Sequence, residues 1–387
     1  MKYAGVIFDL DGVICSTDEY HYLAWKALAD RLNIPFGRED NNRQRGVSRM
    51  ESLEIVLEKS PVAYSQEEKL VFATEKNDLY RELLGEVVME PSKVVPYFGT
   101  VTKPECHMLY NVTTMASTWH TVATQDVRLL CSQLEKVFAL PKEYTFLNYL
   151  RCHDDIGWGL DYAYLSRFGQ REVPHKRYLN DYLTGRWPGS AARGELYNDD
   201  PRLGDARLCG TTASLCGAEI DQKQALAKIE MLHAFLLTLS GVPVLYSGDE
   251  IGQLNDYTYH EDPVKREDSR YLHRGVFGWN DAEKRNDPAS WQGSVYRRIA
   301  ALLGLRKAHG VFDAQADAWT FDTGSDHVLG VGRWHEGEKL LALFNFGTQA
   351  QRVSIDGVYA DLLQDGKNVS GSINLPSGGF AWLIRRE

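Results

Sequence analysis

Leu150-Arg151-Cys152-His153-Asp154-Asp155-Ile156-Gly157-Trp158-Gly159-Leu160-Asp161-Tyr162 continues directly from the apolar run Tyr144-Thr145-Phe146-Leu147-Asn148-Tyr149. A run of that kind reads as a buried strand. A histidine and two carboxylates at the C-terminal end of such a strand stand where a β/α barrel presents catalytic groups. An isolated His-Asp-Asp also suits an ordinary polar loop after a core strand, so its surroundings decide.

The 387 residues leave room for two or three domains. A hydrophobic content of 43% with 11% aromatics supplies sizeable cores. The net charge of -10 argues against nucleic acid or an anionic membrane held by a general basic surface. Nine Trp and 20 Tyr suit a protein that handles carbohydrate, and equally suit large cores. Cys15, Cys106, Cys131, Cys152, Cys209 and Cys216 form no CxxC pair, so neither a zinc site nor a redox motif is expected. Reduced, mostly buried thiols in a cytoplasmic protein are the expectation. The opening MKYAGVIFDLDG has too short an apolar run for a signal peptide. No stretch approaches the ~20 apolar residues of a membrane span.

The chain changes style near residue 85. Before it, one strand (Tyr3 to Phe8) precedes charged helical patterns that start near Thr17, Ser48 and Ser65. After it come strand, loop and helix with aromatic-rich loops. From 311 to 387 the short alternating segments VLGVGRW, LLALFNF, QRVSI and GGFAWLI are split by Gly, Asp and Asn turns, an all-β pattern. No Pro/Gly/Ser linker marks the change at 84–86, which is unusual between domains.

Phe8-Asp9-Leu10-Asp11-Gly12-Val13 sets two carboxylates at i and i+2 just past a strand. Such a pair can hold a divalent metal, one carboxylate attacking phosphorus and the other moving protons. The motif resembles the opening of haloacid-dehalogenase-type phosphotransferases. With DGVICSTDEYHYLAWKALAD, RGVSRMESLEIVLEKS and KNDLY, most of the first 84 residues are similar to the β-phosphoglucomutases. The resemblance implies Asp9 as the phosphorylated nucleophile, Asp11 as general acid/base, and both beside Mg²⁺. It makes residues 15–84 a helical cap, with Arg49 contacting a phosphate and His21 near the hinge side. The family's later Ser/Thr, Lys and acidic-pair motifs do not follow. Asp249-Glu250, after the run Val242-Pro243-Val244-Leu245, could pass for the late acidic pair but has a better owner below. A Rossmann-like core needs several buried parallel strands; one is present, so mutase activity is expected to be absent.

From Gly85 onward four stretches stand in order: GEVV with PSKVVPYFG; YNVTTMASTWHTVATQDVRLL; RCHDDIGW; and GVPVLYSGDEIGQLND, followed by REDSRYLHRG and KRNDP. They resemble the α-amylase clan, glycoside hydrolase family 13, and within it the amylosucrase type. The resemblance implies strands five to eight of a (β/α)₈ barrel and a C-terminal β-sandwich. The fold class is therefore α/β, in three parts: a strand plus cap at 1–84, a partial barrel at 85–310 with a loop insertion at 159–222, and an all-β domain at 311–387. Retaining enzymes of this kind set a nucleophile and an acid about 5 Å apart. By resemblance Glu86 would be the general acid/base, and Asp154 the third carboxylate that supports the transition state. His153 would bond the same sugar. Asp155 and Arg270 would close the pocket and set its acceptor side, and Arg193 would lie in the insertion that shapes it. Glu86 also reads as a helix-surface residue continuing LYRELLGEVV.

In this family the nucleophile is an Asp in a G-x-R-x-D setting before the acid. Upstream of Glu86 nothing matches: Asp78 lies in a helical pattern and Asp40 in GREDNN. Without that group the two-step mechanism has no first step. Four strands leave two open edges and an apolar face, which associate with one another or with a second copy unless covered. The leading expectation is an α-glucoside-acting enzyme of amylosucrase type, impaired as this chain, with sucrose as donor, an α-glucan as acceptor and no cofactor. The alternatives are a truncated phosphotransferase using Mg²⁺, and a non-catalytic glucan-binding remnant built on Trp158, Tyr162, Trp187 and Trp279. The abrupt junction suits two gene fragments joined in frame by a deletion, and equally a faulty sequence assembly.

Overall fold

The computed structural model describes residues 18–44, 47, 49–84, 98–100, 103–104, 108–199 and 206–386. The chain divides into two compact units, Met1–Val88 and Met89–Glu387. The architecture is mixed α/β, with one parallel sheet and one large antiparallel sheet.

The first unit holds α1 (Asp18–Arg31), α2 (Arg38–Arg43), α3 (Arg49–Leu57) and α4 (Gln66–Leu84). The expected helix starts are met within a residue of three of these, and a capping pair is seen at the third. The Ser65 hydroxyl accepts the Glu68 N–H at 3.3 Å and the Glu68 carboxylate accepts the Ser65 N–H at 2.8 Å, a reciprocal cap. The helices close over Trp25, Leu28, Ile34, Phe36, Leu53, Val56 and Phe72. The Tyr3–Phe8 strand, Asp9 and Asp11 lie outside the described residues.

In the second unit a short antiparallel pair, Gly99–Thr100 with Lys103–Pro104, precedes β1 (Met108–Tyr110), α5 (Val112–Thr124), α6 (Arg128–Phe138) and β2 (Thr145–Tyr149). The insertion follows, with α7 (Glu172–Leu183) and the antiparallel hairpin β3 (Glu195–Tyr197) and β4 (Arg207–Cys209). Then come α8 (Gln222–Thr238), β5 (Val242–Val244) and α9 (Trp291–Ala308). β1, β2 and β5 pair in parallel in that order, Leu109 opposite Phe146 and Leu147 opposite Val242. A buried ladder sets the register. Asn111 Nδ2 donates to Asn148 Oδ1 at 2.8 Å, and Asn148 Nδ2 donates to the Ser240 carbonyl at 2.7 Å. Asn111 also caps α5 through the Thr114 N–H. Gly241 enters β5 at φ 103°, where a Cβ would stand 2.3 Å from the Phe146 carbonyl oxygen, so only glycine fits. The sequence pattern anticipates β2 and β5 and the strand before Asn111; the fourth expected strand, at Gly85–Val88, lies outside the described residues. On β5, Val242 and Val244 stay 41% and 36% exposed, an apolar stripe left open at the sheet edge.

The last part is β6 (Asp317–Phe321), β7 (Val328–His335), β8 (Glu338–Asn345), β9 (Gln351–Asp361), β10 (Lys367–Leu375) and β11 (Phe380–Arg386). The expected two-sheet sandwich is replaced by one six-stranded antiparallel sheet, ordered β10-β9-β11-β8-β7-β6. The β9–β10 ribbon joins β11 through only Ala360–Ile384 and Asp361–Leu383, and a bulge interrupts it between Ile355 and Val358. Its Val353, Ile355 and Tyr359 pack with Val328, Leu343 and Leu383, so the ribbon supplies the layer that a second sheet would. The other face, with Val331, Leu340, Phe344 and Trp382, shares a core with Ile229, Leu232 and Phe235 of α8. Arg333 is fully buried there, donating to the carbonyls of Val311 (2.8 Å), Thr238 (2.6 Å) and Asp313 (2.5 Å).

Candidate active site

The segment after β2 leaves the sheet at Leu150 and is anchored at both ends. Arg151 turns inward: its Nε meets Asp249 Oδ1 at 2.8 Å, and both side chains are at most 3% exposed. The second Asp249 oxygen accepts the Thr212 hydroxyl at 2.9 Å, and Arg151 lies 4.3 Å over the Tyr246 ring. Asp249 is thus a buried structural partner of this loop, and Glu250 caps the Gly248 N–H at 2.7 Å. Further along, Ile156 and Leu208 of β4 exchange backbone hydrogen bonds at 2.8 and 2.9 Å, which ties the insertion to the loop.

Between those anchors, His153 and Asp154 face outward, 52% and 53% exposed. Asp154 Oδ1 receives Arg274 Nη2 at 3.3 Å and stands 3.8 Å from Arg270 Nη1; its Oδ2 lies 3.5 Å from His153 Nε2. Arg274 Nε donates to the His153 carbonyl at 2.6 Å. His273 supports the same carbonyl from below. The Gly210 N–H donates to its Nδ1 at 3.2 Å, so the proton sits on Nε2, which donates to His153 O at 3.2 Å. Burial, with the Arg151 charge added, pushes the His273 imidazole down to about 3 and keeps it neutral.

Arg270 is less free than expected. Both Asp268 oxygens chelate it, at 2.9 and 2.7 Å, and it stacks 4.8 Å over Tyr197. Burial alone would raise the Asp268 carboxyl, but the Arg270 hydrogen bond and charge bring it below the usual range. Asp155 turns into the protein and meets Arg207 Nη1 at 3.4 Å. Arg193 folds its guanidinium onto the Ala192 carbonyl at 2.7 Å, and its own carbonyl accepts from Asn255 Nδ2. The structure therefore brings His153, Asp154, Arg270 and Arg274 together, and gives Arg193 contacts within its own loop and with Asn255. Glu86 lies outside the described residues. Sequence reading missed Arg274, Arg151 and His273; the first and last stand in the RYLHRG string already singled out.

Cys152, His153 and Asp154 place one ligand atom each within 4.8 Å of one another. Burial pushes the Cys152 thiol up to about 11, which keeps it protonated and a poor metal ligand. In the first unit His21 stacks on Tyr80, ring centroids 3.9 Å apart, and its Nδ1 lies 2.8 Å from Lys76 Nζ. Lys76 is 3% exposed, and burial, with the Arg49 charge added, pushes its ammonium down to about 7. His21 and Lys76 are thus in direct contact, with the Arg49 charge acting on Lys76; Lys76, in an ordinary charged helical pattern, gave no signal of its burial.

No protein-family model matches the chain. It is 25% identical over 292 residues to the glucosylglycerate phosphorylase of Escherichia coli (strain K12), covering 75% of this chain and 50% of that protein. It is 44% identical over 96 residues to the β-phosphoglucomutase of Bacillus subtilis (strain 168), covering 24% of this chain and 42% of that protein. The crystal structure of AmyP in complex with maltotriose shares the fold at a TM-score of 0.52 and 13% identity, over 87% of this chain and 67% of that one. The chain thus joins an α-amylase-family-like region to a β-phosphoglucomutase-like segment, and it spans half or less of the curated relatives just described. Among the described residues no helix is long and apolar enough to cross a membrane.

Proposed function

We propose that the second unit is the C-terminal part of an α-glucoside-acting enzyme, and that His153 and Asp154 contact the glucosyl ring. The observation that carries this is Asp154, half exposed at the end of a parallel strand, with Arg274 beside its carboxylate and its backbone neighbour fixed by His273. A carboxylate so held is aimed outward from the strand end, as stabilisation of an oxocarbenium-like transition state requires. Glu86 is the proposed acid/base. Sucrose as donor and an α-glucan as acceptor is the amylosucrase-type reading; the maltotriose complex of AmyP supports the glucan side. The phosphorylase relative supports inorganic phosphate as the competing acceptor.

Turnover by this chain alone is not expected, because no Asp in a G-x-R-x-D setting precedes Glu86. The test titrates maltotriose and sucrose into the purified chain, with and without inorganic phosphate, and follows glucose, fructose and glucose 1-phosphate. Saturable binding lost in Asp154→Asn, without product, supports the reading. Absence of binding in a folded chain refutes it, and product release refutes the expected inactivity.

The His21–Lys76 contact, with the Arg49 charge acting on Lys76, favours a second reading for the first unit, phosphosugar recognition of the β-phosphoglucomutase kind with Mg²⁺ at Asp9 and Asp11. It predicts aspartyl-phosphate at Asp9 on labelling with a phosphorylated glucose; no label removes it. The localisation proposed is cytoplasmic.

A further inference from the structure

Apart from the loop above, the second unit sets two histidines across a small cavity. His120 of α5 and His175 of α7 are 2% and 5% exposed, with ring centroids 5.1 Å apart and a 48° tilt. Both His120 ring nitrogens and His175 Nε2 are buried without a hydrogen-bond partner. The cavity, ≈ 30 Å³, is lined by both rings and by Thr124, Asp126, Arg128 and Gln170. Buried polar atoms left this way cost free energy until something satisfies them.

The ring spacing suits a bridging metal ion better than a single bridging water. With metal–nitrogen bonds of about 2.0–2.1 Å at a tetrahedral angle, two imidazole centroids stand about 5.2 Å apart. Two imidazoles bridged by one water, with hydrogen bonds of about 2.9 Å, stand about 6.5 Å apart. The observed 5.1 Å matches the metal geometry. The surroundings agree. Gln170 Oε1 lies 3.2 Å from His175 Nδ1; the amide oxygen accepts that N–H, which leaves the Nε2 lone pair for a ligand. Metal-bound histidines are oriented by just such an outer partner. Asp126 contributes a carboxylate to the wall. Arg128 faces the same cavity but is engaged by both Asp126 oxygens, at 2.9 and 3.0 Å from its Nε, and stacks 4.0 Å over Phe168.

We propose that His120 and His175 form a site for a divalent transition-metal cation of the zinc or cobalt class, completed by water, that pins the insertion helix α7 to α5. Imidazole nitrogen is a preferred donor for such ions. The inference is independent of the glycosidase reading.

The experiment uses the full chain without a histidine tag, titrated with Zn²⁺ by calorimetry and with Co²⁺ by visible absorption. The expected result is one ion per chain, with the absorption of tetrahedral cobalt. His120→Gln and His175→Gln lose the binding. Gln170→Leu, at an exposed position, weakens it about 10–100-fold while leaving the fold intact. Cys152→Ser leaves it unchanged, which separates this site from the Cys152, His153 and Asp154 group. No uptake by the wild-type chain overturns the proposal. So does uptake that survives His175→Gln and Gln170→Leu, or that disappears in Cys152→Ser.

Discussion

Two arginine–aspartate pairs flank the same loop and behave oppositely. Arg151–Asp249 is closed, its side chains 2% and 3% exposed. Arg274–Asp154 is open, at 24% and 53%. Asp154 stands only three positions after Arg151, yet one pair belongs to the frame and the other to the exposed surface. A buried charge pair holds position because losing one partner strands the other. An exposed pair contributes little to stability and keeps its carboxylate available. The loop is thus rigid at its base and chemically open at its tip.

The largest effect expected follows from the closed pair. Arg151→Ala leaves Asp249 buried beside Thr212 and should cost about 3–5 kcal/mol, read as a fall in the urea midpoint. A cost below about 1 kcal/mol, the range of surface pairs, would erase the contrast. His273→Ala comes next. It removes one donor to the His153 carbonyl and the acceptor of the buried Gly210 N–H, at an expected cost of about 1–3 kcal/mol. Because Arg274 still holds that carbonyl, the loop should loosen without detaching, which amide exchange at Asp154 and Asp155 would report.

The first unit offers a counterpart in which a buried cation has no carboxylate partner in the hydrogen bond that holds it. Lys76 titrates near 7 when folded and near 10.5 when unfolded. Between those values the unfolded chain binds more protons, so stability rises with pH, by at most about 1.4 kcal/mol per unit. Below about pH 7 both states carry the proton and the penalty is constant. Lys76→Met should therefore protect the amides of Trp25 to Ala29 most at neutral pH and progressively less toward pH 10. Equal protection at both ends would contradict the burial of Lys76.

Much of this frame is legible in the chain. The run into His153, the strand before Asp249 and the helix starts at Ser48 and Ser65 carry periodicity or capping groups that act locally. What escapes is whatever depends on distant partners. Arg270 and Arg274 are equivalent by spacing, and only the structure shows Asp268 chelating the first while the second reaches Asp154. Asp249 in GDE reads as an acid available for chemistry until Arg151, far away in sequence, neutralises it. Alternation in the C-terminal part predicts strands but not their pairing, so a bent single sheet and a two-sheet sandwich look alike. Lys76 looks solvated because a helical lysine shows no sign of the rings that will enclose it.

The smallest effect on stability, and the most informative on function, is expected at the open pair. Asp154→Asn keeps the shape and removes the charge that Arg274 and Arg270 face. Since Asp154 is half exposed, the unfolding free energy from urea titration should change by no more than about 0.5 kcal/mol. Affinity for maltotriose should nonetheless fall, because an amide is a weaker acceptor for sugar hydroxyls than a carboxylate. A large loss of stability with unchanged affinity would reverse the comparison: the tip would then be part of the frame, and the sugar would have to be sought elsewhere on the second unit.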